Sequence, residues 1–538
     1  MSPFLRIASQ FRLRLAPAGH ARLDVVPPYV RPPRLWLLSL RKVLAVAGFA
    51  LVCFVWGMGF GLTAPALILF FAAPIPILGA IAIWAMPEAK VAPTPSLARL
   101  TFAYIGCMLL WPSYIALALP GLPWITMTRL TGVPLLVVLA ICIASSAEFR
   151  QSLGASLKSS KVVADLFLGY LGFALLSVFL SKQPIGSLNQ FFNMQIGATA
   201  FFIGGAYLFL TPGRATRMVG WLWFCAVAVG VMAVFEFRLQ RPIWAGHVPS
   251  FLKIEDPSVE RVLAGVSRLG VYRVAGTFNV SLGLAEFISL ILPFIIHFMI
   301  GPFRASTRMA AAASIPFLLG VVYLTGARLG MVGCFLAIVL SGLIRGLQTW
   351  RHQPRSYLAP VTVLSIAGLT GLVIAAATFV GRVHSLVNGG AAGQMSNDGR
   401  KVQWAMGLPK VWARPWGYGL GNSGEVVGYA PAGFYTLDSD YLSKLIEFGI
   451  LGSLIYYAIF LVSAFNAGRA TLGAPPQSGE TDLLAPLTAS MVINFILKSV
   501  FASAADDPII FMFLGMIIAL RYRASGASSV AASPVRPR

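Results

Sequence analysis

The stretch that decides how this chain is read begins Asn388-Gly-Gly-Ala-Ala-Gly-Gln-Met-Ser-Asn-Asp-Gly399. It continues through Arg400, Trp404, Arg414 and Gly417-Tyr-Gly-Leu-Gly421. It ends in Leu437-Asp-Ser-Asp-Tyr-Leu442 and Glu447-Phe-Gly-Ile-Leu-Gly452, where the chain enters an apolar helix. A long polar connection wedged between apolar runs is where chemistry concentrates.

Outward from that stretch the chain is apolar. Of 538 residues, 57% are hydrophobic and 11% charged, and the mean hydropathy is +0.79. No soluble domain of this length has that composition, whereas repeated apolar runs of roughly 20 residues match a bilayer. Backbone groups in lipid must pair within their own segment, so the spanning element is the helix. The expected fold is all-α: a polytopic integral membrane protein of about 14 transmembrane helices. The spans fall near 43–60, 64–85, 100–118, 130–145, 164–181, 187–210, 217–235, 281–300, 309–325, 328–344, 359–380, 437–463, 484–502 and 508–521. They make up a helical domain over 43–521, between a basic cytoplasmic tail at 1–42 and a disordered cytoplasmic tail at 522–538. Two long connections, 236–280 and 381–436, interrupt it.

The net charge is +23. On a soluble protein that points to nucleic acid; here the Lys and Arg lie in tails and loops, as the positive-inside bias requires. With the N-terminus in the cytoplasm, alternate loops carry Arg150, Lys158 and Lys161, then Arg214 and Arg217, then Arg304 and Arg308, then Arg345, Arg351 and Arg355. The intervening short loops are almost bare. This predicts both termini in the cytoplasm and both long connections on the outer face of the membrane. The tail before the first apolar run is too long and too polar for a cleavable signal peptide. Cys53, Cys107, Cys142, Cys225 and Cys334 fall in apolar segments without metal-ligand or disulfide spacing and read as core fillers.

The exceptions to charge alternation are informative. The long outer connections hold Arg238, Arg241, Lys253, Arg261, Arg268, Arg273, Arg382, Arg400, Lys401, Lys410 and Arg414, and Arg328 stands in the turn Thr325-Gly-Ala-Arg-Leu-Gly330. Any one of them could snorkel to lipid headgroups; as a set they suggest an outward-facing pocket for an anion such as pyrophosphate, which the planar Arg fork suits. Glu286, inside a span, should face the bundle interior and pair. Lys401 to Trp412 reads as a surface helix with Trp404, Leu408 and Val411 on one apolar face and its indoles at headgroup level. Asp438 or Ser439 could simply cap the next helix. Asp440, Lys444 and Glu447 are spaced along one helical face, which implies a polar cavity that Lys498 and Asp506-Asp507 could complete.

Taken in order, these elements resemble the O-antigen ligase and O-antigen polymerase superfamily of bacterial envelope enzymes. The resemblance covers roughly Arg273 to Gly452. It rests on Arg273-Val-Ala-Gly-Thr-Phe278, the Thr325–Arg328 turn, Arg400 to Trp404, the Pro415 to Gly419 turn, Tyr441-Leu442, and Glu447 to Gly452. It implies a glycosyltransferase without metal or cofactor. The donor would be an undecaprenyl-pyrophosphate-linked glycan, the acceptor a glycan or another lipid-linked acceptor such as lipid A-core, in contact with membrane lipids. Ligases of the family carry a His-Asn type pair where this chain has Asp438-Ser439, and polymerase-like members are more similar. The expectation is therefore a polysaccharide polymerase, with ligase as the alternative and a lipid-glycan or solute transporter as a more distant one. Asp438, Arg328 and Arg400 are the candidate catalytic residues, and Arg273, Arg414, Asp440, Lys444 and Glu447 the candidate substrate-binding ones. Asp438 would be the base for the acceptor hydroxyl, and the Arg groups would stabilise the leaving pyrophosphate.

Overall fold

The computed structural model describes residues 43, 47–48, 51, 74–89, 91–118, 124–254, 256–265, 267–268, 270–355, 357–379, 390–431, 433, 435–476, 479–501 and 506–531. The expected basic tail 1–42 and most of the first two expected spans lie outside them, as do the first residues of the second long connection. The chain divides into two units, 1–73 and 74–538. In the first, Val43, Ala47, Gly48 and Leu51 are helical.

The described residues of the second unit are mainly helical. In chain order its helices are α1 (Pro74–Trp84), α2 (Thr94–Leu110), α3 (Met127–Ser145), α4 (Ala147–Lys158), α5 (Lys161–Leu180), α6 (Pro184–Met194), α7 (Ala200–Leu208), α8 (Arg214–Leu239) and α9 (Pro257–Ala264). They continue as α10 (Ser281–Ile300), α11 (Ala305–Leu324), α12 (Arg328–His352), α13 (Leu358–Phe379), α14 (Gly390–Ala413), α15 (Ser423–Val427), α16 (Asp440–Gly473), α17 (Leu484–Leu497) and α18 (Asp507–Ala531). A π-turn, Gln195–Thr199, joins α6 to α7. Among the described residues nine helices are long and apolar enough to cross a membrane. The chain is a multi-pass membrane protein.

The core is centred on α10, in which every residue from Gly283 to Ile296 is buried. It packs against α11, α12 and α17. Backbones approach closely where residues are small: a Cβ on Gly330 of α12 would lie 2.4 Å from Ala285 Cβ of α10, and Ser289 Oγ donates to Gly330 O at 3.0 Å. Small residues are the usual contact in lipid, where burial of apolar surface gives no driving force between helices. Large apolar side chains such as Leu168, Phe179, Phe224 and Leu454 remain exposed, as lipid-facing surface requires.

Several local expectations change. The charged connection after α3 is the amphipathic helix α4: Ser146 caps it by accepting from Phe149 N, and Phe149, Leu153 and Ser156 form its buried stripe. The connection 236–280 contains α9 and a hairpin of two-residue strands, β1 (Ser267–Arg268) and β2 (Val271–Tyr272), the strands found among the described residues. The glycine-rich run before Arg400 is helical from Gly390, so α14 is twice the length read from sequence. Its buried face also differs. Trp404 and Val411 pack with Val427, Leu442 and Ile446, while Leu408 is exposed. Gly407 sets this rotation, since a Cβ there would meet Leu442 Cδ1 at 2.9 Å. The Trp404 ring therefore fills a protein cluster and not the headgroup layer. The helix α18 runs to Ala531, ten residues past the expected boundary at 521.

Candidate functional site

The site is assembled by segments that side chains tie to one another's backbones. Glu236, near the end of α8, is buried and accepts from Ala275 N at 3.1 Å, Gly276 N at 2.6 Å and Tyr272 Oη at 2.8 Å. Burial, with the Glu236 carboxylate beside it, raises the Tyr272 phenol above its ordinary range, so it stays a donor. One carboxylate thus clamps the Arg273–Phe278 element. Gly276 has φ of 59° and its Cβ position is blocked by Val229 Cγ1 at 2.8 Å, which admits only glycine. From this anchored strand Arg273 Nε donates to Thr325 O at 2.8 Å. Thr325 Oγ1 in turn accepts from Ala327 N at 3.1 Å. The Arg273 element and the Thr325–Arg328 turn are therefore one unit.

A third segment joins them. Gln403 of α14 is buried, and its Oε1 accepts from Asp438 N at 3.0 Å. The Arg400 Nε lies 3.9 Å from Asp438 Oδ2, and the Arg400 guanidinium donates to Asn397 Oδ1 and Ser396 Oγ. Ser439, not Asp438, caps α16, accepting from Leu442 N at 3.5 Å. The Asp438 carboxylate is thereby free of the capping role and stays 44% exposed. Arg273, Arg328, Arg400 and Asp438 all line one cavity of about 660 Å³. The N-terminal ends of α10 and α12 line it too, and helix N-termini add partial positive charge. Three guanidinium groups, two helix ends and one accessible carboxylate make a site able to hold an anion beside a group that can take a proton.

The helix α16 is broken at Gly449, with φ of 71° and ψ of −174°. The turn at 415–419 repairs the break. Ile450 N donates to Pro415 O at 2.8 Å, Tyr418 N to Ile446 O at 2.8 Å, and Gly419 N to Glu447 O at 3.1 Å. Contact is close enough that a Cβ on Gly449 would lie 2.1 Å from Pro415 O, and one on Gly417 2.5 Å from Glu447 O. The Pro415–Gly419 turn and the Glu447–Gly452 helix are two halves of one joint. A neighbouring backbone satisfying a broken helix is how irregular structure survives at membrane depth.

Below the first cavity the ionisable face of α16 forms as expected. Lys444 Nζ lies 3.2 Å from Glu447 Oε2 and 3.9 Å from Asp440 Oδ1. Tyr457 Oη donates to Asp440 Oδ2 at 2.7 Å. Glu447 Oε1 also accepts from Gly421 N and Ser423 Oγ, which ties it to the joint. Asp440, Lys444, Glu447 and Asp507 line a second cavity of about 970 Å³, which shares Phe278, Asn279 and Val280 with the first. Lys498 lies deeper, 3.6 Å from Glu286 and 3.9 Å from Asp507; Glu286 thus has the buried partner its position demanded. Arg414 lines neither cavity and stacks over the Tyr418 ring, 5.3 Å from its centroid. Sequence reasoning missed Glu236, Gln403 and Arg129, the last of which lines the second cavity. Glu236 sits just past the expected end of its span and could have been found as a carboxylate at a membrane boundary; Arg129 was visible as a lone cation in an otherwise bare short loop, and Gln403 carried no local signal.

Residues 285–457, from α10 to the second half of α16, match the family described as O-antigen ligase. No curated protein matches the chain. The matched segment contains Arg328, Arg400, Asp438 and the whole glycine joint, and Arg273 precedes it by twelve residues. The segment that gives the basic cavity Arg328, Arg400 and Asp438 is an O-antigen ligase family domain.

Proposed function

We propose that the protein is a polysaccharide polymerase that joins undecaprenyl-pyrophosphate-linked repeat units at the periplasmic face of the bacterial inner membrane. The observation that carries this reading is the placement of Asp438 against Arg400 in one cavity with Arg273 and Arg328. The acceptor hydroxyl passes its proton to the Asp438 carboxylate as its oxygen bonds to the donor's anomeric carbon. The bond from that carbon to the pyrophosphate oxygen breaks, and the lipid pyrophosphate leaves with the electron pair. Arg273, Arg328 and Arg400 face the charge that develops on it. The Asp438-Ser439 pair, where ligases of the resembled superfamily carry His-Asn, supports polymerase over ligase.

The family's description as a ligase favours a second reading, transfer of a finished glycan to lipid A-core or another acceptor. Deleting the gene separates the two. A polymerase deletion leaves single repeat units on the carrier lipid, a ligase deletion leaves full-length polymer there, and an unchanged envelope glycan profile rejects both. Restoring the gene as Asp438→Asn should lower transfer roughly 10²–10⁴-fold, with Arg400→Ala also impaired. Full activity in both variants would overturn the assigned roles.

A further inference from the structure

We propose that the second cavity binds the acceptor glycan, as an uncharged and hydroxyl-rich saccharide, and that the amides of α6 select it. This rests on the transferase reading above. The two cavities differ in charge. The basic one is ringed by three Arg side chains. In the second, Lys444 is held between Asp440 and Glu447, and the Arg129 guanidinium donates to Trp124 O at 2.8 Å and Asn193 Oδ1 at 3.3 Å. With Asp507 added to the lining, that cavity has no cationic surplus to attract a phosphate.

Beside these mutually balanced charges, its polar groups are amides and hydroxyls. Asn189, Gln190 and Asn193 fall on one side of α6 and line it. Each presents a donor and an acceptor side by side, the pattern that matches neighbouring sugar hydroxyls. Trp124 and Tyr104 add flat apolar faces of the kind that cover the C–H side of a sugar ring. Ile185, Leu188 and Phe192 form an apolar, exposed strip beside this row, and the buried Ser187 marks the side of α6 turned into the protein. The π-turn that ends α6 also lines the cavity through Ile196, Gly197 and Ala198, and such turns concentrate at functional sites. At about 970 Å³ the space is at the upper end for a ligand pocket, suited to several rings. Asn279 stands on the shared wall, so a saccharide here can extend a hydroxyl towards Asp438. The α3 and α6 residues lie outside 285–457, so the selecting surface is separate from the family domain.

The test uses the purified full-length protein in lipid nanodiscs. The probe is oligosaccharide cut from the producing strain's own envelope polysaccharide, with binding read by saturation-transfer NMR; undecaprenyl pyrophosphate is titrated separately. Gln190→Leu with Asn193→Leu should weaken saccharide binding at least tenfold and leave undecaprenyl pyrophosphate binding unchanged. Arg328→Ala should do the reverse. Gln190 is exposed in the cavity and Asn193 partly so, and retained pyrophosphate-lipid binding certifies the fold of the double variant. Saccharide binding that is absent from the native protein, equal in the double variant, or lost together with the pyrophosphate lipid overturns the proposal. Because the assay needs no turnover, it stands apart from the deletion phenotype that judges the transferase reading.

Discussion

Lys498 shows how charge is tolerated inside this bundle. Its ammonium is buried between Glu286 and Asp507, each contributed by a different helix. A buried ion pair adds little net stability, but breaking it leaves an uncompensated charge at a cost of about 3–5 kcal/mol. Glu286→Gln and Lys498→Met alone should therefore each lower the thermal unfolding midpoint in detergent sharply. The double substitution should recover most of the loss. Additive losses would show that the two groups do not depend on each other. Asp438 is the contrasting residue: it sits at the same helix end as Ser439 but leaves the cap to its neighbour. The sequence left base and cap open for Asp438 because both need the same position at a helix start. Only the Ser439 geometry separates them.

Among elements, α16 and the 415–419 turn depend on each other. The break at Gly449 would leave carbonyls of Ile446 and Glu447 unpaired, and Tyr418 N and Gly419 N take them up. Gly449→Ala places a Cβ 2.1 Å from Pro415 O, so the joint must open. Loss of folded protein is expected, at or beyond the about 4 kcal/mol that marks severe single substitutions. Gly433 is the control, with φ of 80° and nothing within 4 Å of its Cβ position. Gly433→Ala should cost only about 1–2 kcal/mol for the left-handed backbone. Unfolding midpoints of the two variants that fall together would refute the joint. Both glycine motifs were visible in the sequence, but as separate weak signals. Their meaning lies in the contact between them, which spacing along the chain does not reveal. The same limit applies to α14, whose polar, glycine-rich start hid a helix and whose rotation is set by Gly407 against Leu442.

For the whole molecule, the alternation of Lys and Arg between loops supports an orientation with Ser396, Asn397 and Arg400 outside. A cysteine at exposed Asn397 should then react with a membrane-impermeant maleimide added to intact spheroplasts. One at Thr349, in the last turns of α12, should react only after lysis. Labelling in the opposite pattern would invert the topology. The class of fold needed only the sequence, because hydropathy summed over a run and charge summed over a loop are local properties that the bilayer reads directly. The candidate residues were also legible, since a charge among apolar runs stands out wherever it is finally placed. Their grouping was decided by the tertiary structure. Arg273, Arg328, Arg400 and Asp438 share a cavity because Glu236 clamps one segment, Thr325 holds the next and Gln403 ties α14 to the start of α16. Arg414 is left aside on Tyr418 for the same reason. Bonds between distant segments set those positions, and no local pattern in the chain encodes them.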